Sequence, residues 1–297
     1  NQLNQQTEQL SPLSSRPTYT ETENDLTVKA NKRTFIFSKK DGQLKGVSVD
    51  NRKINFANGP RFIGARRADR SLDQFYNHDD EKAKEKDRTY SEFPDAAVFT
   101  KLDVKQDGGD LIVTANYKLG NLDKAQWTIN PSGDLALDYT YNFSGVVDLM
   151  GIRFDYPEDQ VISKRWLGAG PYRVWQNRIH GTQYDVWEND YNDPIPGETF
   201  TYPEFKGYFG DVSWMNIQTK EGTISLTNET PDAYIGVYQP RDGRDRLLYT
   251  LPESGISVLN VIPPVRNKVN STDLCGPSSQ PKWVNGPQTG RVIFRFM

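Results

Sequence analysis

Leu111-Ile112-Val113-Thr114-Ala115-Asn116-Tyr117 and Leu135-Ala136-Leu137-Asp138-Tyr139-Thr140-Tyr141 alternate apolar with polar or small residues, and Trp127-Thr128-Ile129 between them keeps the same beat. Side chains of an extended chain point to opposite faces in turn, so each run presents one apolar face and one wet face. The joints are turn chemistry: Gln106-Asp107-Gly108-Gly109-Asp110 before the first run and Asn130-Pro131-Ser132-Gly133-Asp134 before the last. Strands in sequence, joined by tight turns and each with one buried face, make an antiparallel sheet that covers a core.

Working outward, the same period recurs at Leu26, Val28 and Ala30, then at Phe35 and Phe37, where Asp41-Gly42 turns the chain into Leu44–Val49. Val98–Val104, Val212–Gln218, Thr223–Asn228, Ala233–Gln239, Gly255–Ile262 and Arg291–Phe296 read as further strands. Asp79–Arg88 has helix-forming composition without an apolar stripe and reads as a solvated excursion. The tract from Gly168 to Gly210 is rich in Gly, Pro, Asn, Asp and aromatics with little period, which predicts a long functional or packing loop. Residues 1–23 are polar and read as a linker or arm; residues 24–297 read as a single domain. The predicted class is all-β, a large antiparallel β-sandwich.

Composition narrows the chemistry. The 297 residues are long enough to bury a sizeable core, and 12% aromatics argue for one. A net charge of −3 excludes a broad nucleic-acid or anionic-membrane footprint. A single cysteine, Cys275, and two histidines, His78 and His180, exclude an internal disulfide, a multi-Cys metal site and a three-His zinc centre. No apolar run approaches ~18 residues, so no helical membrane span is expected. The chain starts Asn-Gln-Leu-Asn-Gln-Gln, without initiator Met or apolar signal core, the form of a mature chain or an excised fragment.

Three places carry candidate chemistry. Trp283 sits among Gly, Pro, Ser and Asn; its indole suits the C–H face of a sugar ring, or it pins its loop to the sandwich. The tract Tyr184-Asp185-Val186-Trp187-Glu188-Asn189-Asp190-Tyr191-Asn192-Asp193 mixes aromatics with carboxylates. Such a mixture stacks on sugars and accepts their hydroxyls, packs against a neighbour, or holds a structural Ca²⁺ through Asp185, Asp190 and Asp193. His78 or His180 with Glu198 or Glu204 would allow proton transfer at an anomeric centre, the chemistry of an aldose 1-epimerase. Trp127, Trp166 and Trp214 read as core, and Cys275 as unreactive.

Three ordered stretches resemble the C-terminal sandwich, the small-chain domain, of bacterial glycoside hydrolase family 2 β-galactosidases. They are Phe35–Val49 followed by Asn58-Gly59-Pro60-Arg61-Phe62 and Arg66-Arg67-Ala68-Asp69; Met150-Gly151-Ile152-Arg153-Phe154 before Trp166-Leu167-Gly168-Ala169-Gly170-Pro171-Tyr172 and Asn177-Arg178; and Tyr202-Pro203-Glu204 through Asp211-Val212-Ser213-Trp214. Asn177 stands where the family has Asp. The resemblance covers roughly residues 26–297 and implies a galactose-mutarotase-like supersandwich. It further implies an accessory role beside a catalytic barrel of the same parent polypeptide, with Trp283 as an aromatic platform for a β-galactoside-like glycan. Family 2 hydrolysis uses a carboxylate pair on a (β/α)₈ barrel, which this chain has no pattern for, so no catalytic residue is expected in it. The expected carbohydrate contacts are Trp283, Trp187, Glu188, Asp190, Tyr184 and Arg178, in a bacterial, exported protein of the periplasm or cell exterior, with no cofactor. The rival expectations are a stand-alone carbohydrate-binding module and the epimerase.

Overall fold

The computed structural model describes residues 15–67, 90–193, 205–240, 251–265 and 276–297. The predicted excursion at 79–88 lies outside them, as do His78, Glu198, Glu204 and Cys275. In chain order the strands are β1 (Thr18–Glu21), β2 (Asp25–Ala30), β3 (Arg33–Ser38), β4 (Leu44–Val49), β5 (Arg52–Ile54), β6 (Ala57–Arg67) and β7 (Tyr90–Glu92). There follow β8 (Val98–Asp107), β9 (Asp110–Lys118), β10 (Leu122–Ile129), β11 (Leu135–Val147), β12 (Leu149–Asp155) and β13 (Val161–Gly170). The rest are β14 (Gln183–Asp190), β15 (Trp214–Thr219), β16 (Gly222–Asn228), β17 (Tyr234–Gly236), β18 (Ile256–Val261) and β19 (Lys282–Phe296).

Two antiparallel sheets result. The first runs β1-β2-β3-β4-β6-β12-β18-β17, with β5 on β4 and β7 on β6; the second runs β14-β13-β15-β16-β19-β11-β10-β9-β8. Their inner faces meet in the core that the alternation predicts: Leu111, Val113 and Ala115 of β9 and Leu135, Leu137, Tyr139 and Tyr141 of β11 are all buried. An aromatic seam joins the layers. Trp127 of β10 lies 5.9 Å, ring to ring, from both Phe37 of β3 and Phe154 of β12, and Phe154 lies 5.4 Å from Phe294 of β19.

Four expectations need correction. Residues 18–21, read as part of the polar arm, form an edge strand paired with β2. All four are exposed, so backbone hydrogen bonds and the Lys39–Glu21 ion pair at 2.9 Å hold them and no apolar period betrays them. The 168–210 tract is not all loop: Gln183–Asp190 is strand β14, paired along its length with β13. Trp214 is half-exposed on the outward face of β15, while Trp127 and Trp166 are in the core as expected. Trp283 is no loop residue but the second residue of β19, whose first half hides behind Gly286 and Pro287.

Candidate functional site

Trp283 is 72% exposed, so it does not pin its loop by burial. β16 pairs with β19 only from Val292 to Phe296, whereas β11 pairs with β19 along its whole length. Among the described strands, the first half of β19 thus has β11 alone beside it, and Trp283, opposite Val146, stands at its open end.

The loop leading into β19 is tied down from the 175–178 turn. Gln176 is buried, and its Nε2 donates to the carbonyls of Ser278 at 2.8 Å and Gln280 at 2.7 Å. Asn177 donates from Nδ2 to the Val265 carbonyl at 3.0 Å and accepts the Val265 N–H on Oδ1 at 2.8 Å. An amide can meet both groups of one residue; a carboxylate lacks the donor, which explains Asn in place of Asp here. Arg178 is exposed on this turn, two residues beyond the Gln176 tie. Truncation of Gln176 to Ala is expected to cost about 1–3 kcal/mol by leaving two carbonyls short of their donor. The same change is expected to speed proteolysis at 276–281, read by limited digestion beside urea unfolding; an unchanged digestion pattern would show that the tie does not hold the loop.

The second tract is elsewhere. β13, β15 and β16 lie between β14 and β19, so residues 184–190 do not join Trp283 in one site. Within the tract, Tyr184, Val186 and Glu188 are exposed on one face, with the Tyr184 hydroxyl 2.6 Å from Ser213 Oγ and Glu188 3.9 Å from Arg165. Trp187 points the other way: it packs against the core and gives its indole N–H to its own strand's Gln183 carbonyl at 3.2 Å. Trp187 explains the Gly-Ala-Gly-Pro stretch in part, because a Cβ on Gly170 would sit 2.4 Å from the indole. Asp190 is exposed, and its main-chain carbonyl is used internally. Among the described residues no three His, Cys, Asp or Glu side chains converge, so Asp185, Asp190 and Asp193 form no cation cage. His180 is exposed, and its carbonyl accepts the Tyr172 hydroxyl at 3.1 Å.

Behind the tract lies a buried cationic pair that the sequence reading passes over. Lys164 is 1% and Arg173 2% exposed. Lys164 Nζ donates to the carbonyls of Asp190 and, at 3.3 Å, Asp193, and lies 5.1 Å from the Tyr238 ring centre. The Arg173 guanidinium stacks over the same ring at 5.1 Å and donates to Asn192 Oδ1 at 2.6 Å, while its Nε and Nη1 have no hydrogen-bond partner among the described residues. Burial, reinforced by Arg173, lowers the Lys164 pKa to about 6, and burial lowers that of Arg173 to about 10. Counting by twos from Trp166 points Lys164 inward, and that was the available signal.

The fold defines the class: an all-β supersandwich of two antiparallel layers, with an exposed indole on a tied-down late strand. A family model described as beta galactosidase small chain matches residues 29–265, and the chain belongs to that family. Similar solved structures include a galactose 1-epimerase from Lactobacillus acidophilus NCFM, at 9% identity and TM-score 0.48, covering 96% of this chain and 99% of that one. Two others are a protein designated HI1317, at 8% identity and TM-score 0.41 over 97% of each chain, and an amine oxidase from Aspergillus nidulans. The last is 8% identical with TM-score 0.37, and the match spans 100% of this chain but 55% of the oxidase. Likenesses this distant carry no chemistry across. No curated protein matches the sequence.

Proposed function

We propose that the chain is the accessory sandwich of a family-2-type, β-galactosidase-like glycoside hydrolase, buttressing a catalytic barrel and lending it Trp283 for carbohydrate contact. The observation that carries this reading is the exposed indole, 72% accessible at the open end of β19 above a loop fixed by Gln176. Membership of the small-chain family supports it, although Trp283 lies beyond the matched residues. An exposed indole face suits a pyranose ring, and Arg178, on the turn that ties the loop, is the donor assigned to its hydroxyls. Tyr184, Glu188 and Asp190, on a separate edge, belong in this reading to domain contact rather than to the sugar site. The parent is a bacterial hydrolase acting in the periplasm or outside the cell.

In the intact hydrolase, Trp283→Ala is expected to raise KM for an aryl β-galactoside by about tenfold, the equivalent of ~1.4 kcal/mol of lost contact. Tyr184→Ala is expected to leave KM unchanged. Steady-state kinetics of both variants test this, and unaltered kinetics for Trp283→Ala would remove the indole from the site.

A further inference from the structure

The outward row of β19 is Trp283, Asn285, Pro287, Thr289 and Arg291, and register sets it against Val146, Ser144, Asn142, Thr140 and Asp138 of β11. β10 extends the floor with Lys124 opposite Thr140 and Gln126 opposite Asp138. Where β16 leaves β19, the other wall is the Glu229–Pro231 segment. A cleft of about 320 Å³ opens there, its lining including Lys124, Thr140, Thr289 and Arg291.

The chemistry of this surface is specific in two ways. Its charges come within one of balance: Arg291 is held by Asp138 and, at 3.0 Å, Glu229, Lys124 offsets one of these carboxylates, and Asp123 accepts the Asn142 amide. Asn142 spends its amide on Asp123, but much of the remaining polar capacity is free. Among the described residues the Thr140 and Thr289 hydroxyls and the Lys124 ammonium have no hydrogen-bond partner. Ser144 Oγ donates to Asn285 Oδ1 at 2.8 Å, which leaves the Asn285 amide donors unused. A polyanion or polycation gains little from a strip so near to charge balance, and an apolar peptide finds only Trp283, Val146 and Pro287 among the row and its partners. A neutral, hydroxyl-rich chain fits.

We propose that this strip is a track for an extended neutral oligosaccharide, running from the Trp283 platform along β19 and β11 into the cleft at Arg291. The two ends lie eight strand positions apart, a span of about 27 Å and several sugar rings. The inference rests on the reading that Trp283 meets a sugar, and it deepens that reading by making the substrate a polymer rather than a disaccharide.

Calorimetry of the 297-residue chain with β-1,4-linked galacto-oligosaccharides, from the disaccharide to the heptasaccharide, tests it. Affinity is expected to rise with length by about tenfold or more. The exposed-face double variant Lys124→Ala/Thr289→Val is expected to lose that gain while binding the disaccharide as the wild type does. Trp283→Ala is expected to weaken every length alike. Length-independent binding, no binding at any length, or a length gain that survives in the double variant overturns the track. If the double variant loses the gain but Trp283→Ala changes nothing, the track stands and the platform falls.

Discussion

Lys164→Met is expected to stabilise the chain at pH 7 by about 1–4 kcal/mol and to flatten the dependence of its stability on pH. The amine is 1% exposed, and the charged and titratable groups around it are Arg173, Tyr238, Asp190 and Asp193. In the unfolded chain it takes up a proton below its ordinary pKa of 10.5; in the folded chain burial delays that to about 6. Between these values the unfolded state binds one more proton, so stability climbs as pH rises, by up to about 1.4 kcal/mol per unit. Below about pH 6 both states carry the proton and this slope ends. Methionine fills the same path without a proton to place. The carbonyls it abandons keep other donors: Asn189 Nδ2 to Asp193 at 2.9 Å and the Asp193 N–H to Asp190 at 3.3 Å. Urea unfolding from pH 6.5 to 9 reads both effects. A variant that is less stable than the wild type, with the slope retained, would show that Lys164 is charged in the fold.

The second large effect is in the seam between the layers. Trp127→Ala is expected to cost about 3–5 kcal/mol, because the indole is fully buried and touches Phe37 and Phe154 of the opposite sheet. Trp127→Phe is expected to cost much less, since the indole N–H has no acceptor among the described residues and Phe keeps most of the ring contact. Equal losses for the two variants in denaturant unfolding would mean that the N–H, not the buried volume, matters at this position.

What could be read from the residues follows from what made each strand. β9, β10 and β11 owe their burial to side chains alternating along one segment, so Leu111, Trp127 and Leu137 announce the core by themselves. β14 and the first half of β19 are mostly exposed and owe their extended form to the strands they pair with, β13 and β11. Trp187 turns inward because Gly170 leaves room for it, and Lys282–Pro287 is extended because Asn142–Val147 is there to pair with it. Neither fact leaves a local period. The same limit applies to the site. Trp283 was visible as an aromatic among small residues, but its separation from the Tyr184–Asp190 edge required the strand order β14-β13-β15-β16-β19. The buried pair Lys164 and Arg173 was masked by the habit of reading charge as surface, a habit sound on average and wrong where aromatic rings and main-chain carbonyls enclose the charge.

In the proposed role the chain serves a catalytic partner and performs no hydrolysis of its own. Incubation of the purified 297-residue chain with 4-nitrophenyl β-galactoside, following nitrophenolate release, is the decisive assay. Release at the buffer rate, unchanged in Trp283→Ala, is expected; steady turnover that scales with protein concentration would overturn the proposed role.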